Sequence, residues 1–303
     1  MAFPITATFI DDISYDIPSS NWSDDDWKHE LDYMKSVGID TLVFIRGGLG
    51  DKMVYPSKHF FSLRKNDFPK LIFTEAEKRN MSVYMGLYMS HISWNYGEYQ
   101  RELDANKIFI KEICERYGDM PSFKGWYLPH ETGLNIWHIK ELMEGLSYMC
   151  KEATPDKKIL MSPFFYSPFL ASGNPEDPKG LSPDEVFETW DEILQNAGKY
   201  IDACAFQDGT APIREITDYF KASKKLCEKY NMEHWVNVET FERDVRCMYY
   251  PIPFDHLQTK LDLVTPLVDK AMTFEFSHFL SPQSIYPSAH NLFERYKEYY
   301  GNK

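Results

Sequence analysis

The stretch FKGWYLPHE, residues Phe123–Glu131, is a short run of apolar and aromatic residues that ends at an acidic side chain. A second stretch, HWVNVE at His234–Glu239, has the same form. Continuous apolar runs of this length are typical of strands that are buried on both faces of a sheet. We therefore predict two buried strands, each with a carboxylate at its C-terminal end.

Runs of this kind recur along the whole 303-residue chain, and amphipathic helical segments separate them. Strict alternation of strands and helices predicts a parallel sheet, and eight repeats favour closure into a (β/α)8 TIM barrel. We expect one such α/β barrel as a single domain over residues 1–303. The predicted strands are Ile5–Asp11, Thr41–Gly47, Ser82–Met89, Phe123–Glu131, Lys158–Phe165, Ile201–Gln207, His234–Glu239 and Ala271–Phe279.

Capping residues mark several helix ends. Ser23 and Asp26 resemble an acidic capping box, Gly38 is placed as a C-cap, and Ser182 precedes a proline at a first helical position. Long segments predicted as loops follow several strands on one side, which fits a substrate cleft. The predicted helices are Trp27–Val37, Glu98–Tyr117, Asn135–Glu152, Pro183–Ala197, Ile213–Tyr230, His256–Val268 and Ala289–Tyr299, and the loops are Gly48–Phe68, Ser167–Ser182 and Arg243–Asp255.

A doubly wound open sheet is the alternative fold. Such sheets normally carry a glycine-rich phosphate loop directly after the first strand, where this chain has Asp11–Ser14. The glycines of Arg46–Gly50 follow the second strand but lack the pattern of a P-loop. The barrel is therefore the favoured fold.

The formal net charge of −13 excludes nucleic acid as an expected partner, because such binding needs basic patches. The five cysteines form no C-x-x-C pair, so neither a disulfide framework nor a zinc knuckle is expected. Without a long apolar run, no membrane partner is expected. We expect a soluble protein, cytoplasmic as given, or periplasmic or secreted if a signal peptide has been removed.

The ranks of the two glutamates resemble those in clan A of the glycoside hydrolases, which are retaining (β/α)8 enzymes. In that clan the acid/base glutamate ends the fourth strand and the nucleophilic glutamate ends the seventh. The resemblance implies that Glu131 is the acid/base and Glu239 the nucleophile. It departs at His130, where the clan usually has Asn. The layout is also similar to uncharacterised bacterial barrel families described only as glycosidase-like.

The chemistry implied by this resemblance has a geometric requirement. A retaining mechanism needs two carboxyl groups about 5–5.5 Å apart, one protonated and one ionised. Asp208 is the competing partner for Glu131, and a pair about 6.5–9.5 Å apart would invert the configuration of the sugar. Either glutamate could instead only pair with a loop Arg or Lys.

Other polar and aromatic residues near strand ends are predicted to bind a carbohydrate substrate. Phe274 and Phe276 are expected on the helix-covered face of the last strand, so Glu275 should point into the barrel with Arg46 as its partner. Trp94 and Tyr96 are expected to stack on sugar rings. The predicted substrate-binding set is Asp11, Arg46, His91, Trp94, Tyr96, His130, Tyr166, Gln207, Asp208, Asn237 and Glu275.

Two other classes of function stay open at this point. One is a carbohydrate-binding barrel without turnover, which would keep the aromatic cleft. The other is a metal-dependent barrel hydrolase or isomerase, although the sequence has no H-x-H or H-E-x-x-H motif. Serine chemistry lacks a G-x-S-x-G elbow. For the glycoside hydrolase, no cofactor is expected.

Overall fold

The computed structural model describes residues 2–14, 17–90, 98–131, 138–168, 180–243 and 248–301. Eight parallel strands form a closed barrel in which each strand pairs with its neighbours in chain order and the last pairs with the first. The predicted TIM barrel is confirmed. The strands are β1 (Ala7–Ile10), β2 (Thr41–Phe44), β3 (Ser82–Gly86), β4 (Phe123–Leu128), β5 (Lys158–Met161), β6 (Ala203–Gln207), β7 (Glu233–Glu239) and β8 (Lys270–Phe274).

The outer layer consists of helices, and its first member begins at the predicted capping box. The Ser23 side chain accepts from the backbone N–H of Asp26, and Asp26 accepts from that of Ser23. Gly38 has a φ of 92°, the left-handed conformation that follows many helix ends. The helices are α1 (Asp24–Ser36), α2 (Phe68–Lys78), α3 (Tyr99–Tyr117), α4 (Ile139–Ala153), α5 (Pro183–Ala197), α6 (Ile216–Tyr230), α7 (Phe254–Val264) and α8 (Pro287–Tyr300).

Two elements differ from the sequence-based prediction. Helix α2 was not predicted; Asp67 caps it by accepting from the Lys70 N–H, and Pro69 lies in its first turn. The last predicted strand is wrong beyond Phe274, because Phe276–Phe279 forms a single helical turn. Most predicted strands were also too long at their C-terminal ends, since the chain leaves the barrel ladder there to form loops.

Side chains alternate between the barrel interior and the helix-facing side. On β7, Trp235 packs inside the barrel, whereas Val236 and Val238 pack in the outer core with the helices. The interior is filled by Ala7, Phe9, Val43, Ile45, Tyr84, Tyr127, Leu160, Ala203, Ala205, Trp235 and Met272, with Phe274 packed against them. Because this filling closes the barrel axis, a cavity can form only at its mouth.

Short strands extend the wall of the barrel on the side of the C-terminal strand ends. Phe241–Arg243 pairs antiparallel with Tyr249–Pro251 and forms a hairpin after β7. Gly48–Leu49 pairs with both Lys52–Met53 and Tyr88–Met89. In the part of the chain that the structure describes, no helix has the length and apolar character of a membrane span.

Gly86 marks a close approach between β3 and the end of β2. A Cβ at this position would overlap the carbonyl oxygen of Phe44 and lie 2.7 Å from the Cα of Arg46. Both contacts are backbone atoms, which cannot move without disturbing the strand. Gly86 thus permits the backbone position from which the Arg46 side chain reaches the barrel mouth.

We expect Gly86→Ala to lower the free energy of unfolding by about 1–3 kcal/mol, because the methyl group forces the two strands apart. The measurement is urea unfolding followed by circular dichroism. Gly145→Ala in α4 is the matched control, since its Cβ meets only the Leu103 side chain. Equal stability of the two variants would contradict the close approach at Gly86.

Candidate active site

A cavity of about 290 Å³ lies at the mouth of the barrel. Its wall combines carboxylates, cationic groups and aromatic rings, contributed by the ends of several strands and by the hairpin after β7. The lining residues are Phe9, Asp11, Ser14, Ile17, Ile45, Arg46, Glu131, Gln207, Asn237, Glu239, Phe241, Arg243, Tyr249, Phe274, His278 and Phe279. Both predicted catalytic glutamates therefore line the same cavity.

Strand alternation explains how β7 supplies the cavity. Trp235, Asn237 and Glu239 lie on one face of the strand, with Trp235 inside the barrel and the other two at its mouth. Asn237 is the register partner of Gln207 on β6, and both side chains reach the cavity. Asn237 Nδ2 donates to Ser162 Oγ at 3.2 Å, which fixes the amide.

Glu131 follows β4 and is exposed to the cavity. Gln207 Nε2 lies 3.4 Å from its Oε1 and also donates to the Ser162 carbonyl at 2.8 Å. Desolvation by the surrounding protein raises the pKa of Glu131, and this effect outweighs the opposing influence of Arg46, Gln207 and Arg243. A carboxyl group with this bias keeps its proton to a higher pH than a glutamate surrounded by bulk water does.

Glu239 is buried, with 6% of its surface exposed. Its pKa is raised to about 7, with burial as the largest cause, the charge of Asp208 as the second and Glu131 as a smaller effect of the same sign. Lys260 and Arg243 oppose the shift. The charge of Glu131 therefore contributes to the titration of Glu239, although less than burial and Asp208 do.

Gly209 packs directly against the carboxyl group of Glu239. A Cβ at Gly209 would overlap the carboxyl oxygen Oε2, so a side chain cannot be accommodated there without moving Glu239. Gly209 belongs to the 3₁₀ turn Asp208–Thr210 that follows β6. The carboxyl group of Glu239 therefore packs against this turn.

Asp208 does not line the cavity at the barrel mouth, contrary to the prediction. Its side chain is fully buried, accepts from the backbone N–H of Glu239 at 2.9 Å and lies 2.9 Å from Lys260 Nζ. The reason is alternation, because Gln207 points inward and the next residue points outward. As a competing catalytic carboxylate, Asp208 is thus excluded from contact with a substrate in this cavity.

Glu275 is also placed differently from the prediction. Phe274, not Glu275, faces the barrel, where its ring lies 5.9 Å from that of Phe9 and lines the cavity. Glu275 is fully buried outside that lining, so the expected inward orientation is wrong. Phe274 follows Met272 by two positions on β8, and both pack with the residues inside the barrel. Arg46 acts electrostatically on Glu131.

His130 and Tyr166 lie outside the cavity lining. The His130 side chain is fully buried, and its Nε2 lies 2.8 Å from Oε1 of Glu102, an acid that also accepts from the Ser90 N–H. Glu102 of α3 therefore holds the His130 side chain in place, and with it the backbone next to Glu131. Tyr166 lies in the loop after β5, where its carbonyl accepts from the Leu181 N–H at 2.7 Å. The predicted residues His91, Trp94 and Tyr96 lie outside the described residues.

Three buried polar atoms of the cavity-lining residues have no hydrogen-bond partner among the described residues, namely Oγ of Ser14, Nε of Arg46 and Oδ1 of Asn237. The Arg46 atom is a donor, the Asn237 atom is an acceptor, and the Ser14 hydroxyl group can act as either. Buried polar groups of this kind are usually satisfied by water or by a ligand. A ligand that offers both acceptor and donor groups, such as a polyol, would complement them.

The hairpin after β7 forms part of the cavity wall; the segment Arg243–Asp255 was expected to border the cleft as a loop, but its pairing with Phe241–Arg243 was not predicted. Arg243 and Tyr249 are register partners, the guanidinium lies 5.1 Å from the ring centroid, and both line the cavity. Phe241 packs edge-on against Tyr249, with ring centroids 4.9 Å apart. A signal was present in the sequence, because Phe241 and Arg243 alternate directly after the strand that carries Glu239.

Among the residues that the structure describes, no group of three or more His, Cys, Asp or Glu is placed to hold a metal ion.

We expect Glu239→Gln to stabilise the fold at pH 8 and to have a smaller effect at pH 5. The raised pKa means that the folded state binds a proton more tightly than the unfolded state, so the wild type loses stability as pH rises from about 4.5 to about 7. The difference corresponds to about 3 kcal/mol at most. Thermal unfolding at both pH values measures it.

Glu233→Gln is the matched control, since this residue lies at the other end of β7 in a partly exposed ion pair with Lys158. Glu30, whose pKa burial also raises to about 7, titrates in every variant and cancels in the comparison. A Glu239→Gln effect that is the same at pH 5 and pH 8 would contradict the assigned desolvation.

Comparison with known proteins identifies a family and several structures with a similar fold. Over its full length the chain is 36% identical to the crystal structure of a "putative alpha-L-fucosidase" from Bacteroides thetaiotaomicron, with 94% of that chain covered and a TM-score of 0.92. An intracellular xylanase from Thermoanaerobacterium saccharolyticum has a TM-score of 0.56 at 15% identity, with 90% of this chain and 86% of the xylanase covered. At that identity the likeness concerns the fold alone.

A beta-galacturonidase from Eisenbergiella tayi shares the fold at a TM-score of 0.59 and 11% identity, with 98% of this chain and 51% of that chain covered. No curated protein sequence matches the chain. The family model "Domain of unknown function (DUF4434)" matches residues 5–286, which include every barrel strand. The chain belongs to the DUF4434 family.

Proposed function

We propose that this protein is a glycoside hydrolase that cleaves a glycosidic bond with Glu131 and Glu239, with retention of configuration. The observation that carries the proposal is that these two carboxyl groups, after β4 and β7, line one cavity, and that Glu131 contributes to the raised pKa of Glu239. Most glycosidases use a pair of carboxyl groups that flank the glycosidic bond they cleave.

In the proposed mechanism, Glu131 donates its proton to the leaving oxygen while Glu239 attacks the anomeric carbon. The glycosidic bond breaks and a covalent glycosyl-enzyme forms. Glu131, now ionised, removes a proton from water, which attacks the same carbon and releases Glu239. Arg46 and Asn237 are proposed to bind sugar hydroxyl groups through their unpaired Nε and Oδ1 atoms, with Asp11, Gln207 and the hairpin wall around them.

Desolvation raises the pKa of both glutamates, and nearby charges modify the two shifts differently. Arg46 and Arg243 lower the pKa of Glu131, whereas Asp208 raises that of Glu239. The resemblance to clan A assigns the proton to Glu131. We propose that Glu131 carries the proton in the productive state and that an ionised Glu239 is required for the first step, so activity should rise with pH on the acidic side.

A binding barrel without turnover has less support from the same geometry. Two desolvated carboxyl groups in one cavity are costly and are not needed to hold a neutral sugar. Catalysis, by contrast, requires such pKa shifts. The 36% identical relative, described as a "putative alpha-L-fucosidase", makes α-L-fucosides the first substrates to test.

The test compares Glu131→Gln with Glu239→Gln on a panel of aryl glycosides that includes α-L-fucosides. We expect Glu131→Gln to lose about 10²- to 10⁴-fold in kcat/KM on substrates with poor leaving groups and far less on dinitrophenyl glycosides, which leave without a proton. Glu239→Gln should be inactive on both kinds, because the covalent step needs its carboxylate.

Glu233→Gln serves as the control from the opposite end of β7 and should keep wild-type activity. Wild-type activity in either site variant would overturn the assignment of the pair. Leaving-group rescue of Glu239→Gln instead of Glu131→Gln would show that the two roles are exchanged. Product stereochemistry followed by NMR tests retention directly.

A further inference from the structure

The C-terminal end of β7 continues past its neighbour. The last register pair between β6 and β7 is Gln207 with Asn237, after which the chain leaves β6 as the 3₁₀ turn Asp208–Thr210. Glu239 lies two residues beyond that pair and so lacks a β6 strand partner. Its backbone N–H and C=O, which a sheet would normally satisfy, need other partners.

A buried ion pair supplies both partners. Oδ1 of Asp208 accepts from the Glu239 N–H at 2.9 Å, and Nζ of Lys260 donates to the Glu239 carbonyl oxygen at 3.0 Å. The ammonium group also lies 2.9 Å from Oδ2 of Asp208. Lys260 comes from α7 and is 9% exposed, so it reaches the strand end from the outer layer.

We propose that Asp208 and Lys260 are positioning residues for Glu239, which replace the missing strand neighbour and hold its backbone so that the side chain enters the cavity. This inference rests on the proposed function, because it assigns a purpose to the orientation of Glu239. Neither residue lines the cavity at the barrel mouth. They act on a substrate only through Glu239.

The energetic cost of this arrangement supports a role other than stability. Removing two charges from water is expensive, and buried ion pairs often add little to the stability of a fold. Lys260 and Asp208 also border a second cavity of about 450 Å³, shared with Glu239, Gly209 and Arg243. A shorter apolar side chain at position 260 therefore has room, but it leaves the charge of Asp208 buried without its partner, which destabilises the fold. Folding of each variant is therefore checked by circular dichroism before its kinetics are measured.

The two residues affect the ionisation of Glu239 with opposite signs. The carboxylate of Asp208 raises the pKa of Glu239, and the ammonium group of Lys260 lowers it. The other charged groups that face Glu239 are Arg243 on the hairpin, which lowers its pKa, and Glu131 after β4, which raises it. Removing Asp208 or Lys260 alone should therefore shift the titration of Glu239 in opposite directions.

The experiment uses Lys260→Met, Lys260→Arg and Asp208→Asn in the full chain. Lys157→Met is the matched control, because Lys157 is also 9% exposed and donates to a backbone carbonyl, that of Phe123, at 3.1 Å. That contact lies at the start of β4, away from the barrel mouth. The readouts are kcat and KM across pH, and the carboxyl ¹³C signal of Glu239, assigned by its loss in Glu239→Gln.

Lys260→Met should lower kcat about tenfold or more with KM changed less than about threefold, since misplacement of a reacting group affects the chemical step. The titration midpoint of Glu239 should rise by about one unit in Lys260→Met and fall by a similar amount in Asp208→Asn. Lys260→Arg keeps the positive charge, so the titration midpoint of Glu239 should stay close to its wild-type value.

Shifts of Lys260→Met and Asp208→Asn in the same direction, or no difference between Lys260→Met and Lys157→Met, would overturn the proposal. If Lys260→Met does not fold, two results still test the proposal. The titration midpoint of Glu239 should fall in Asp208→Asn and stay close to the wild-type value in Lys260→Arg. The carboxyl titration needs no substrate, so failure of the proposed glycosidase activity would leave the NMR result intact and would be recognised separately.

Discussion

The desolvation of Glu239 is the constraint on which the site depends. A carboxyl group with 6% exposure costs free energy when it ionises, and the chain surrounds it with groups of both signs rather than with one neutralising cation. The barrel makes this possible because its interior below the mouth is filled by side chains and admits little water. The resulting raised pKa opposes the ionisation that the proposed nucleophile needs, and Lys260 and Arg243, which lower the pKa, counteract it. Strongly shifted carboxyl groups of this kind are common at functional sites.

The sequence predicted the architecture well because buried parallel strands leave a direct signature. Short apolar runs such as those before Glu131 and Glu239 can only be buried on both faces, and their number matched the barrel. Helix α2 was missed because the predicted loop ended at Phe68 and the residues after it were assigned to no element, although Asp67 and Pro69 give a capping signal there. Strand ends were overestimated because apolar residues continue into the loops that line the mouth.

The sequence predicted the position of a site side chain where strand alternation determines it. It did not predict the position of side chains that reach the site through contacts between distant elements. Asn237 and Glu239 share a strand face with Trp235, so alternation alone brings them to the mouth. The same rule places Asp208 outside, and it failed at Glu275 only because Phe274 was assumed to face the helices. Lys260 gave no local signal, since it becomes relevant only when α7 packs against the end of β7.

The contact between Gly209 and Glu239 has a consequence for the evolution of the sequence. Because no Cβ fits between this residue and the Glu239 carboxyl group, a mutation at position 209 is tolerated only after Glu239 has been replaced by a smaller residue or has moved. The order of substitutions along a lineage is therefore restricted. A descendant that abandoned Glu239 would be released from that restriction, and drift at position 209 would then record the loss of the carboxylate.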